Sequence, residues 1–162
     1  GLVGSEMCIR DRLYWQIRKM VLDHDDANDL LQNTFLKAWM NIDYFRGEAK
    51  LSTWLYKIAI NECITFLNRQ RMQNNVSIDD TDVFLLECLK GDEYFDGDAA
   101  QMKLQKAILT LPEKQRAVFN MKYFDDMKYE DMSEIFGTSV GALKASYHHA
   151  VKKVEEFLTK DI

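Results

Sequence analysis

Proline occurs only once in this chain, and glycine seven times in 162 residues. Strand-and-turn architectures need those residues as punctuation, so their scarcity excludes most β-rich folds and favours long helices. Cysteine is almost as scarce. Cys8, Cys63 and Cys88 lie far apart and form no CxxC pair. That excludes a zinc site or a disulfide framework and reads as reduced, intracellular thiols. Charge interrupts every apolar run well before membrane-spanning length, so a transmembrane helix is excluded too. Basic excess is also missing. The net charge is −5, which would argue against nucleic-acid binding if it were evenly spread. It is not. The stretch 77–98 holds eight acids (Asp79, Asp80, Asp82, Glu87, Asp92, Glu93, Asp96 and Asp98) against Lys90 alone. That stretch outweighs the whole net charge and leaves the remainder mildly basic. Charge therefore permits DNA binding without arguing for it.

What is present is apolar periodicity in long segments, enough for an all-α chain of two small helical domains joined by an acidic linker. Residues 1–12, GLVGSEMCIRDR, show no apolar period and no signal-peptide layout. They read as a tag, scar or mis-translated leader, with the fold starting near Leu13. The first domain, 13–72, holds three helices. One covers 13–22. The segment DHDDAND then supplies a helix start, its acids suited to the positive end of the dipole. The second helix carries Leu30, Leu31, Phe35, Ala38, Trp39 and Ile42 at three-and-four spacing. A break at Phe45-Arg46-Gly47-Glu48 follows, and Ser52 is the expected N-cap of a third helix ending in a basic tip, Arg69 and Arg71.

Residues 73–99 are the linker, with a short helical turn expected at 83–89. The second domain, 100–162, is a four-helix unit. Leu104, Ala107, Ile108 and Leu111 mark its first helix, and Pro112 opens the next. A short helix over 129–136, a tight Gly137-Thr138-Ser139 turn and a long helix over 140–158 have the dimensions of a helix-turn-helix. Gly137 sits where a left-handed C-cap is wanted, and Ser139 caps the following helix. Leu143, Tyr147, Ala150, Val151, Val154 and Phe157 form its buried stripe, while Lys144, Ser146, His148, Lys152 and Lys153 face outward. The first turns of such a second helix enter the major groove. Two helices that simply pack in a bundle would show the same pattern.

His148 and His149 are adjacent, so on a helix they point about 100° apart, and no third ligand is nearby. No metal, cofactor or small-molecule substrate is expected. In the first domain, Tyr44, Phe45, Trp54 and Tyr56 interleave with Arg46, Lys50 and Lys57. Rings among cations suit unstacked single-stranded nucleic acid, although each ring taken alone reads equally as core. The edge Asp29, Gln32, Asn33 and Lys37 is either a solvated face or a docking surface.

Together these segments resemble a known family. DDANDLLQNTFLKAWMNIDYFRGEAKLSTWLYKIAINECITFLNRQR resembles the second conserved region of the extracytoplasmic-function sigma factors of bacterial RNA polymerase, members of the sigma-70 family. LQKAILTLPEKQRAVFNMKYFDDMKYEDMSEIFGTSVGALKASYHHAVKKVEEFL resembles their fourth region. The resemblance implies a cytoplasmic, non-enzymatic protein that binds core RNA polymerase and promoter DNA to start transcription. It implies that Asp29, Gln32, Asn33, Phe35 and Trp39 dock on the polymerase clamp. Phe45, Arg46, Gly47, Lys50, Ser52, Trp54, Lys57 and Asn61 would then capture the melted minus-ten strand. Ser139, Val140, Gly141, Ala142, Lys144, Ala145, His148, His149 and Lys152 would read the minus-thirty-five element. Asn33 stands where the family usually has Glu. Ser146, His149 and Val151 occupy positions often held by Arg, which softens phosphate affinity. The family usually carries one more helix before Leu13, and an anti-sigma factor is a common partner.

Two other readings use the same residues. A polymerase-independent helix-turn-helix regulator accounts for the second domain but leaves the aromatic-basic loop idle. A helical enzyme would need convergent carboxylates or histidines, whereas the acids here crowd a breaker-rich linker. A regulatory expectation also follows. An acidic linker between two mildly basic domains, through Asp79, Asp80 and Asp82, would help the free protein fold its halves together and mask its DNA surfaces.

Overall fold

The computed structural model describes residues 2–47, 50–74 and 99–160. Among these it contains seven α-helices, one 3-10 turn and no strand. The helices are α1 (Leu2–Val21), α2 (His24–Met40), α3 (Leu51–Asn74), α4 (Ala99–Leu109), α5 (Glu113–Tyr123), α6 (Tyr129–Phe136) and α7 (Val140–Thr159). The short turn Ile42–Tyr44 follows α2. The all-α expectation agrees with this. The acidic linker, its turn at 83–89 and the acids Asp79, Asp80 and Asp82 lie outside the described residues.

Local chemistry accounts for the helix ends. Asp23 is extended and its carboxylate accepts from the Asp25 amide at 2.8 Å, with Asp25 and Asp26 in the first turn of α2. Crowding with Asp23, Asp25 and Asp29 adds to burial in raising the carboxyl pKa of Asp26. Arg18, fully buried, donates from Nε to the Leu22 carbonyl at 2.8 Å, which fixes the turn out of α1, where Leu22 adopts φ +66°. Gly137 ends α6 at φ +66°, ψ +26°, a left-handed conformation that glycine adopts more easily than any residue with a side chain. The Ser139 hydroxyl then accepts from the Ala142 amide at 3.2 Å and starts α7.

Three expectations need correcting. The first helix does not wait for Leu13: α1 starts at Leu2, and Ile9 packs against the core. One buried contact per turn suffices once a neighbour covers it, so weak periodicity hid this helix. Ser52 is not the cap of α3, because the Trp54 amide donates to the Lys50 carbonyl and the helix already runs through Leu51. Pro112 caps α5 from outside, since the helix begins at Glu113 and Arg116 donates to the Pro112 carbonyl at 2.7 Å.

α1, α2 and α3 pack together around Leu13, Ile17, Leu30, Leu31, Ala59, Ile60 and Leu67. That cluster does not stop at the first three helices. Ala117, Val118 and Met121 from α5, Met132 and Ile135 from α6, and Leu143 from α7 belong to the same buried cluster. A second cluster holds Ala107, Ile108, Leu111, Phe119, Ala150 and Val154, and ties α4 and α5 to α7. The two halves are therefore laid against each other, α5 on α1 and α6 on α3. Polar contacts cross the same seam. The Gln16 amide donates to Asp125, Arg116 donates to the Met20 carbonyl at 3.3 Å, and Arg71 pairs with Glu113.

Candidate nucleic-acid interface

The surface expected to dock on polymerase is exposed. Asp29, Gln32, Asn33, Phe35 and Trp39 stand out on α2, and Trp39 is 79% exposed. Leu36, which sequence reading did not single out, is solvent-facing too, as are Met40 and Ile42, the latter expected in the helix's apolar stripe. Phe35, Trp39, Ile42, Leu51 and Trp54 line an open, largely apolar groove of about 980 Å³ between α2 and the head of α3. Exposed apolar groups gathered into one patch mark an interaction site, whereas scattered ones do not. The signal was available in the sequence: a helix with apolar residues all round has more than one face to cover.

The aromatic-basic set divides. Phe45 and Trp54 are half-buried partners, ring centroids 5.1 Å apart at 37°, beside Tyr44, which is 78% exposed. Both alternatives for these rings therefore hold at once, since Trp54 packs on the core and keeps an edge in the groove. Gly47 takes φ +74° with open space around it, and exposed Arg46 precedes it. Residues 48 and 49 lie outside the description. Trp54, Lys57 and Asn61 follow at helical spacing and form one stripe along α3, its polar members exposed. Ser52 and Lys50 look the other way, into a cleft of about 440 Å³ between the halves. Lys50 Nζ lies 3.8 Å from Asp131 Oδ2 of α6.

On α7 the separation is clean. Leu143, Ala150 and Val154 are buried, while Ser139, Gly141, Ala142, Lys144, Ala145, His148, His149 and Lys152 are all exposed, with Val140 half-buried. Gly141 has nothing within 4 Å of where a Cβ would sit, so backbone approach is open. Lys144 Nζ rides 5.7 Å from the Tyr129 ring centroid, which steadies it at the mouth of the motif. The histidine rings are 6.2 Å apart, and no cluster of metal-ligating side chains occurs among the described residues. Lys153, by contrast, turns back to Gln115 Oε1 at 3.3 Å.

Sequence reasoning did not find the seam between the halves. Lys19 Nζ sits 3.9 Å over the Phe124 ring, and burial lowers its pKa against the pull of Asp125. Tyr56, facing Asp125, has its phenol pushed up to about 12 by burial. Cys63, within range of the Arg116 charge, is pushed up to about 12 for the same reason. Such pairings join residues far apart in the chain, and no spacing rule reaches them.

Comparison with known proteins places this geometry. Residues 7–72 match the family description "Sigma-70 region 2" and residues 101–154 match "Sigma-70, region 4". The sigma factor SigV of Bacillus subtilis is 29% identical over 157 residues, 95% of this chain and 90% of that protein. The extracytoplasmic-function sigma factor SigW of the same organism is 29% identical over 147 residues, 86% of this chain and 79% of its own. Among solved structures, the sigma factor RpoE in complex with the anti-sigma factor NepR from Bartonella quintana superposes with a TM-score of 0.72. It does so at 23% identity, over 99% of this chain and 98% of that one. CnrH in complex with the cytosolic domain of CnrY gives a TM-score of 0.67 at 19% identity, covering 99% and 87%. No described helix is long and apolar enough to cross a membrane. With regions 2 and 4 in order and a two-half helical fold shared along its length, this chain belongs to the extracytoplasmic-function sigma factors of the sigma-70 family, proteins of promoter recognition and transcription initiation.

Proposed function

We propose that the two halves divide one task on core RNA polymerase. The first docks through the α2 groove and holds a melted promoter strand along α3, and the second grips intact duplex upstream through α7. The observation that carries this reading is the stripe Trp54, Lys57 and Asn61, which runs from a ring pair and a glycine turn along one face of α3. Rings stack on unpaired bases of any identity and cations hold the backbone between them. Extruding a base costs a few kcal/mol, and burying it against Phe45 and Trp54 offsets that cost. Opening is thereby coupled to recognition, with no hydrolysis by this chain and no catalytic role for any residue. On α7 the capped start, the bare Gly141-Ala142 backbone and Lys144 support entry into a major groove. Polymerase docking falls to Asp29, Gln32, Asn33, Phe35 and Trp39. The protein works in the cytoplasm, and an anti-sigma factor is a further partner, as NepR is for RpoE.

In-vitro transcription with purified core polymerase on a promoter library tests the reading. Promoter-specific transcripts that require both proteins are expected. Sequence-specific duplex binding at the same promoters without polymerase, together with no stimulation of core enzyme, would instead favour a self-sufficient helix-turn-helix regulator.

A further inference from the structure

Among the described residues, Lys144 is the one lysine of α7 with an aromatic ring beside it, and that ring comes from another helix. Tyr129 opens α6, is half-buried, and packs with Tyr147 against the core. Lys122 of α5 also lies over its ring, 4.6 Å from the centroid. Lys122 is itself tied down, because its Nζ donates to the Met127 carbonyl at 3.1 Å and lies 3.4 Å from Asp126 Oδ1. The ring is thus fixed by core and cation before any DNA arrives. Lys144 Nζ comes to rest 5.7 Å from its centroid. The other lysines of α7 differ. Lys153 turns back to Gln115, and Lys152 stands exposed with no ring beside it among the described residues.

A lysine that swings freely in water gives up rotamer freedom when it takes hold of a phosphate. An ammonium already drawn to the negative face of a ring has surrendered part of that freedom beforehand. We infer that Tyr129 is a positioning residue for the upstream duplex. It touches no DNA itself, and its ring orders Lys144 in advance for a backbone phosphate at the start of α7. This rests on the assignment of α7 to intact duplex. The short helix α6 therefore sets the strength of a contact that the long helix makes. Lys152, with no ring to order it, meets its phosphate unprepared.

The test measures binding of the full chain to a short fluorescein-labelled duplex of mixed sequence, by anisotropy over a range of salt. Phosphate contacts are independent of sequence, so this probe reads them directly. Tyr129→Leu is expected to weaken binding roughly two- to fivefold, the worth of one exposed cation–ring contact. The slope of log affinity against log salt stays at the parent value, because Lys144 still reaches its phosphate. Tyr129→Phe keeps the ring and should bind like the parent. In a Lys144→Ala background, Tyr129→Leu should cost nothing further, whereas in a Lys152→Ala background it should cost its full factor. A loss that persists without Lys144 overturns the proposal, since the ring then acts through the fold. An equal loss in Tyr129→Phe overturns it too, since the hydroxyl then touches DNA itself. Should Tyr129→Leu fold poorly, fluorinated phenylalanines at position 129 keep shape and packing while draining the negative face of the ring. Affinity should fall stepwise with fluorination, and a flat series overturns the proposal. If Lys144→Ala alone changes neither affinity nor slope, the assignment of α7 to duplex fails, and the proposal falls with it.

Discussion

Phe45 and Trp54 meet at 5.1 Å between ring centroids, across the break that separates the 3-10 turn from α3. The pair ties a loop to a helix and leaves one edge in the open groove. Trp54→Ala is expected to reduce single-round promoter opening by roughly tenfold or more, the loss of one base–aromatic stack. Permanganate reactivity of the melted strand measures it. Thermal unfolding of the same variant separates this loss from the packing that Trp54 also supplies.

Trp39 carries no such double duty, being almost bare on α2. Trp39→Ala should leave the melting temperature unchanged and weaken binding to core polymerase by roughly thirtyfold, as expected for a central aromatic anchor. Fluorescence titration of labelled chain with core enzyme reads both the affinity and its loss.

Lys144 and Lys152 stand on the open face of α7. Removing either should weaken upstream duplex binding across all sequences alike and lower the slope of log affinity against log salt by about 1. A change confined to one base position would mean base readout in place of phosphate contact.

Gly137 turns the chain at φ +66° between α6 and α7. Alanine there keeps the space, since nothing lies within 4 Å, but pays the left-handed strain of about 1 kcal/mol. Gly137→Ala should lower the denaturation midpoint accordingly, and Gly137→Asn should lower it less, because asparagine tolerates this conformation.

Cys63 gives a pH signature. Its thiol ionises near 9.0 when unfolded and near 12 in the fold, because burial disfavours the thiolate. The unfolded state therefore loses its proton first. Stability is intact below about pH 9 and falls as pH rises from there toward 12. Tyr56 adds a fall of the same sign above its ordinary value of 10.0. The alkaline decline in melting temperature should be shallower in Cys63→Ala than in the parent chain.

Much of this was legible beforehand, for reasons that differ by element. Gly137 and Ser139 declared the turn of the motif because left-handed backbone and orphan amides each call for particular residues. Asp23 announced α2 in the same way. The α7 stripe was read from spacing, and its exposed partners followed by subtraction. The beginning of α1, before Leu13, escaped because its first turns carry mixed residues, of which Ile9 packs on the core. The seam escaped for a deeper reason. Periodicity says which side of a helix is covered but not what covers it, so Met121, Met132 and Leu143 gave no hint that they close over the first half. Asp125 and Asp131 read as ordinary surface acids until Gln16 and Lys50 are seen opposite them.

Because Met132, Ile135 and Leu143 share their interior with Leu13, Ile17 and Leu67, scissors applied between the halves would not yield two contented pieces. Each fragment would be left with a greasy wound where the other had lain, prone to clumping at modest concentration. Intact, the polypeptide should melt in one step on heating. Whatever prises the halves apart in the cell must therefore offer replacement cover for that bared lining.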